Sequence, residues 1–218
     1  MQKLFGEEAD SEKTVCVVGL GNPGKQYVST RHNVGFTVVA LLSQSLHSRM
    51  IEGSGDYLYS DCTVEHRRLI LAVPMTFMNE SGAAVAQIME RFNVTASELL
   101  IVLDDFQLPL GTLRIRAEGS DGGHNGLASI IYQLQTEQVP RLRVGIAGPT
   151  CPTEERKELM ADYVLSPFEK EEVPQAAEMT THARDAVLAL ARHGIKFAMN
   201  NFNRSFLASD GSVEGSIQ

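Results

Sequence analysis

Short apolar runs alternate along this chain with stretches in which apolar residues recur every three or four positions. Val15, Cys16, Val17 and Val18 read as a strand buried on both faces. The strand empties into Gly19-Leu20-Gly21-Asn22-Pro23-Gly24, and just after His32 the spacing of Val34, Val38, Leu41 and Leu42 predicts a helix to about Arg49. Residues 57–63 and 68–73 predict a hairpin turning at 64–67. The second of these strands runs into a polar loop, 74–82, where Asn79 or Ser81 is placed to cap a helix ending near Phe92. A third buried strand, 99–103, stops at the acidic pair Asp104-Asp105.

Beyond that pair, residues 111–117 alternate, with Leu113 and Ile115 opposite Arg114 and Arg116. A glycine-rich loop, 119–126, feeds a helix from about Leu127 to Leu134. Residues 141–147 alternate again, Leu142, Val144 and Ile146 against Arg141, Arg143 and Gly145. A lid-like segment up to Phe168 precedes a long helix from about 171 to 192 and a short one over 195–201. Strands that alternate with helices predict one α/β domain, a mixed, mostly parallel twisted sheet flanked by helices, over residues 14–207. Residues 1–13 are expected to form a flexible acidic extension and 208–218 a disordered tail.

Composition narrows the function classes. Three scattered cysteines (Cys16, Cys62, Cys151) do not make a disulfide framework and suit a reducing, cytoplasmic setting. No run of 18 apolar residues is present, and the acidic first 13 residues have the character of neither a secretory signal nor a transit peptide. The net charge of −8 speaks against a nucleic-acid partner until it is located. Residues 1–13 and 153–185 contribute −2 and −5, which leaves −1 for the rest. The body is nearly neutral, with room for a local basic face.

The glycine-rich turn after the first strand fits G-x-G-x-x-G, but two features oppose a dinucleotide site. Pro23 drives Asn22 towards an extended conformation, and no acidic residue lies between Lys25 and Met50 to hold a ribose. What the turn does hold is an amide, with an imidazole close behind. Asn22, Asn79, Asp104 and Asn125 each stand in a loop at a strand end or before a helix. Singly, each is an ordinary turn former or cap. Gathered at one sheet edge with His32, they would make a site.

Six motifs carry a family resemblance: Gly19–Gly24 with Tyr27, Thr30-Arg31-His32-Asn33-Val34-Gly35, Pro74–Gly82, Asp104-Asp105, Gly122-Gly123-His124-Asn125-Gly126 and Arg141–Ile146. Together they resemble bacterial-type peptidyl-tRNA hydrolase, and Tyr163-Val164-Leu165 with Phe168 extend the similarity across about residues 15–203. The resemblance implies a monomeric cytoplasmic esterase that frees tRNA from prematurely released peptides and needs no cofactor and no obligate protein partner. It implies His32 as catalytic base and Asp104 as its partner. It implies Asn22, Asn79 and Asn125 as groups that hold substrate, with Tyr27 and Met78 beside them. Where the family usually has His, Asp and His, this chain has Leu103, Gln107 and Asp121. Some plant relatives of the fold are intron-splicing partners, so a non-catalytic RNA-binding role is the alternative.

The residue types suit the implied chemistry. An ester yields to activated water; no Gly-x-Ser-x-Gly elbow supplies a nucleophile and no H-E-x-x-H or clustered Cys/His pattern suggests a metal. An imidazole can take the proton, a carboxylate can orient it, and side-chain amides can donate to a developing oxyanion. The paired arginines Arg114/Arg116 and Arg141/Arg143 each share a strand face, and at least one of each pair is expected on the phosphates of the acceptor stem.

Overall fold

The computed structural model describes residues 14–206, so the expectations for 1–13 and for the tail, 208–218, lie outside the described residues. Seven strands form one sheet in the order β2-β3-β4-β1-β5-β7-β6. They are β1 (Val15–Gly19), β2 (Ile51–Glu52), β3 (Tyr57–Val64), β4 (Arg67–Pro74), β5 (Leu99–Pro109), β6 (Leu113–Arg116) and β7 (Arg141–Ala147). The central strands β4, β1, β5 and β7 are mutually parallel, and β3 and β6 run against them. Because β2 is antiparallel to β3, five of the seven strands point one way, as expected of a mostly parallel mixed sheet.

The strand periodicity divides the core in two. Val17, Leu71, Leu100, Val102, Leu142 and Val144 pack on one side against α1 (Val34–Ser45), α5 (Val173–His193) and α6 (Ile195–Phe202). Cys16, Val18, Ile70, Ala72, Ile101 and Leu103 pack on the other side against α2 (Ser81–Phe92) and α3 (Asn125–Leu134). Burial on both faces is why β1, β4 and β5 read as continuous apolar runs. The lid is a pair of 3-10 turns over Glu154–Leu159, kinked at Arg156, followed by the short α4 (Met160–Val164).

Several boundaries differ from the sequence reading. The first helix ends at Ser45, not near Arg49, because His47 turns left-handed (φ 49°). The hairpin turns on Glu65 and His66 alone, with Glu65 at φ 58°. Neither Asn79 nor Ser81 caps α2: Met78–Glu80 form a 3-10 turn, and Glu80 is the N-cap residue without a side-chain bond. The third strand does not stop at Asp104; β5 continues to Pro109, since Asp104 and Asp105 keep their places opposite Val144 and Gly145 of β7. Helix α3 starts at Asn125, two residues earlier than the apolar period suggests.

One close approach places the site. A side chain on Gly35 would overlap the backbone of Leu20 and Val102, and one on Gly19 would overlap Gly35 itself. Glycine at both positions lets the start of α1 lie directly on the β1–β5 seam. The 3-10 turn before it, Arg31–Asn33, thereby holds His32 over the carboxyl end of the sheet.

Candidate active site

Four elements meet at that end. The His32 ring Nδ1 lies 2.7 Å from Oδ1 of Asp104, which β5 presents from a fully buried position. The same oxygen receives Nε2 of His124 at 3.1 Å, so one carboxylate serves two imidazoles whose centroids are 5.0 Å apart. Burial by itself would push the Asp104 carboxyl up; the charge and hydrogen bonds of His32 and His124 outweigh it and hold the group well below the usual carboxylate range. Asp104 therefore stays an anion throughout the working pH range. A carboxylate only accepts, so Nδ1 of His32 carries its proton towards Asp104. Nε2 of His32 is left as the basic nitrogen, in a ring that lines two adjoining cavities.

The larger cavity, about 770 Å³, runs between the glycine loop and the lid, past Gln107, Asn125, Pro152 and Met160. The smaller, about 350 Å³, is lined by Asn22, Phe77, Met78, Asn79 and Asn125 together with His32. The structure therefore brings the three asparagines, Met78 and His32 to one hollow, with Asp104 directly behind. Asn22 is the most constrained of the amides. Its backbone N–H donates to Oδ1 of Asn33 (2.8 Å), and Nδ2 of Asn33 donates back to its carbonyl (2.9 Å). Its own Oδ1 accepts the backbone N–H of Met78 at 2.8 Å. With that oxygen committed, Nδ2 of Asn22 is the group offered to the cavity. Asn79 and Asn125 are exposed on its rim. Tyr27 is half-buried in the 3-10 turn Lys25–Tyr27 and lines neither cavity that His32 lines.

Two residues quoted in the motifs do more than sequence reasoning assigned them. Arg31 is fully buried next to His32 and reaches the far end of the lid. Its guanidinium donates to Oγ of Ser166 (2.6 Å), to the carbonyl of Pro167 and to Glu172 (2.5 Å), with the rings of Tyr163 and Phe168 at 4.3 and 5.2 Å. His124 is the other. Its Nδ1 accepts the N–H of Leu127 at 3.2 Å and so caps α3. The signal for both was a charged or ionisable residue inside a motif that the turn chemistry alone did not need.

His32, Asp104 and His124 also form a possible metal donor set, their ligand atoms all within 4.8 Å of one another. Coordination through Nε2 of His124 would need a lone pair there. The Leu127 N–H already occupies Nδ1 as an acceptor, which puts the ring proton on Nε2. The hydrogen bonding thus suits proton transfer and opposes a metal.

The arginines divide. Register places Arg114 opposite Arg143 and Arg116 opposite Arg141, so all four share one face of the β6–β7 edge. Arg141, however, is buried and donates to the carbonyls of Val139, Gly119, Ser120 and Glu137. It braces the glycine loop, so within that pair the expected phosphate contact falls to Arg143. Arg114 is half-buried and donates to the carbonyl of Asn203 at 2.9 Å. Arg143 pairs with Asp105, and Arg116 is exposed; both line a cavity behind the glycine loop. At the departures from the family pattern, Nε2 of Gln107 donates to the carbonyl of Gly122 (3.2 Å), and Oδ1 of Asp121 accepts the N–H of Gly123 (2.7 Å).

Fold and site together define an α/β enzyme built around a buried histidine–carboxylate pair at the open end of its sheet. The comparisons give the family. A family model described as peptidyl-tRNA hydrolase matches residues 16–210. The peptidyl-tRNA hydrolases of Persephonella marina and Salinibacter ruber are 42% and 45% identical to it, each over 88% of this chain and 98% and 100% of their own length. The crystal structure of peptidyl-tRNA hydrolase from Acinetobacter baumannii superposes with a TM-score of 0.81 at 29% identity, over 90% of this chain and 98% of that one. The chain belongs to the peptidyl-tRNA hydrolase family and is a hydrolase.

Proposed function

We propose that the chain hydrolyses the ester between a peptide, or an N-blocked amino acid, and the 3′ ribose of tRNA, acting as a cytoplasmic monomer to recycle tRNA from prematurely released peptidyl-tRNA. The observation that carries the mechanism is the 2.7 Å contact between Nδ1 of His32 and Asp104 beside the cavity shared with Asn22, Asn79 and Asn125. Nε2 of His32 takes a proton from water as the oxygen attacks the ester carbonyl. Asp104 fixes the ring's tautomer and stabilises the imidazolium that forms. The tetrahedral intermediate places its negative charge against side-chain N–H donors, with Nδ2 of Asn22 pre-aimed by the Met78 bond and Asn79 beside it. Collapse expels the ribose oxygen, which takes the proton back from His32. Asn125 and Met78 are assigned to the substrate within the cavity, Tyr27 to a part of the substrate that extends beyond it, and Arg116 and Arg143, with Arg114 beside them, to the acceptor-stem phosphates.

The test is ester cleavage by the purified protein of an N-blocked aminoacyl-tRNA beside the free aminoacyl-tRNA. Turnover of the blocked ester, with ¹⁸O from labelled water in the released acid, is the expected result. A protein that binds tRNA and cleaves neither ester would restore the non-catalytic RNA-binding alternative, which no feature of the site favours.

A further inference from the structure

The mechanism above leaves one buried ionisable group at its centre without a task. His124 is 8% exposed, lies against Asp104 and lines the larger cavity with its ring centroid 5.0 Å from that of His32. Its ring is held from both ends. At one end Nδ1 accepts the Leu127 N–H, one of the donors that the first turn of α3 would otherwise leave unpaired. At the other, Nε2 meets the same Asp104 oxygen that takes Nδ1–H of His32. A nitrogen that accepts a hydrogen bond bears no proton, so the helix end decides which nitrogen of His124 is protonated.

We propose that His124 is a positioning residue for the hydrolysis: its tautomer is locked by the start of α3, and its Nε2–H pins Asp104 so that Oδ1 stays in line with His32. This inference rests on the reading of His32 as the base. Two donors on one oxygen leave Asp104 little freedom to rotate. Among the described residues, the titratable and charged groups facing it are these two histidines, from the turn before α1 and the start of α3. Asp105, the next residue on β5, is paired with Arg143. With Asp104 fixed, His32 is fixed, and its basic nitrogen points where the ester must lie. A small misplacement there is costly, because catalysis by a positioned base depends on near-attack geometry.

The alternative is that His124 only caps α3, and two variants separate the roles. In His124→Asn the side-chain oxygen stands near the place of Nδ1 and still caps Leu127, asparagine being a favoured N-cap, but the side chain is too short to reach Asp104. In His124→Gln the amide nitrogen stands near the place of Nε2 and restores the donor. We expect His124→Asn to melt with the wild type while kcat falls by about 10- to 100-fold at little-changed KM, and His124→Gln to recover part of that loss. Nitrogen-15 NMR of the wild-type imidazoles should show His124 protonated on Nε2 alone. His124→Asn with wild-type kcat, or a wild-type His124 ring protonated on Nδ1, overturns the proposal. If neither variant folds, the wild-type tautomer decides alone. A wild-type protein inactive on N-blocked aminoacyl-tRNA would instead remove the hydrolase reading and leave the tautomer as a separate fact.

Discussion

Asn22 shows how much depends on where a single oxygen is committed. Because its Oδ1 accepts the Met78 N–H, the amide cannot flip, and its donor end faces the cavity. Asn22→Ala should therefore lose transition-state stabilisation of about 3–4 kcal/mol, the scale of one lost oxyanion donor, read as a fall in kcat and not in substrate affinity. Unchanged kcat would reduce Asn22 to a brace for the Met78 loop. Asp104 carries a pH prediction. Its carboxyl is held below its ordinary value by native partners, so its contribution to stability is present above the unfolded value, about 3.9, and disappears as pH falls through the lower folded one. The acid limb of the rate profile should accordingly owe nothing to protonation of Asp104. In Asp104→Asn that limb should come with a much lower plateau in a protein that remains folded. At this scale the sequence was legible where chemistry is unusual: an amide before Pro23, an imidazole after a glycine turn, an acid at the end of an apolar strand. Arg31 and His124 were not, because a buried cation and a capping histidine are recognised only by their distant partners, Glu172 and Asp104.

Among the elements, the end of the lid and the start of α5 are held to the turn before α1 by one buried arginine. Arg31 and Glu172 are both buried, yet Nε of Arg31 and Oε1 of Glu172 have no hydrogen-bond partner. A pair satisfied only in part adds little net stability compared with an apolar pair, whereas breaking it strands a charge. Glu172→Leu should cost about 3–5 kcal/mol in chemical denaturation, and Arg31→Met with Glu172→Leu should recover most of that. The double variant would still lack the fork to Ser166 and Pro167, so its KM should rise although its stability returns. A double variant as unstable as the single one would show that the pair is a true stabiliser. Element types followed from periodicity, since strands with period two and helices with period near four leave separate marks on the sequence. Their ends did not. The hydrogen bonds that carry β5 past Asp104 belong to β7, far along the chain, and the left-handed turn at His47 has no glycine to announce it.

For the whole molecule, the question is how an acidic chain takes an RNA substrate. The acidic segments 1–13 and 153–185 hold most of the net charge, and the β6–β7 edge gathers arginines on one face. With Arg141 turned inward to the glycine loop, Arg116 and Arg143 are the pair to test. Arg116→Ala with Arg143→Ala should weaken tRNA binding and flatten the log–log salt slope by about one unit for each lost phosphate contact, while cleavage of a minimal ester without nucleic acid persists. An unchanged slope would leave these arginines as surface. The sequence showed the pairs by their two-residue spacing; it could not show which member is consumed by loop carbonyls.

These scales meet in His32, placed by the Gly19–Gly35 approach, aimed by Asp104 and open to the cavity through one nitrogen. The most direct measurement is the single-turnover rate of N-blocked aminoacyl-tRNA cleavage by His32→Ala, taken with the tRNA dissociation constant and melting temperature of the same preparation. The account predicts a rate lower by about 10²–10⁴-fold with binding and melting close to wild type. A rate within a few-fold of wild type, in a folded protein that binds tRNA normally, would contradict it.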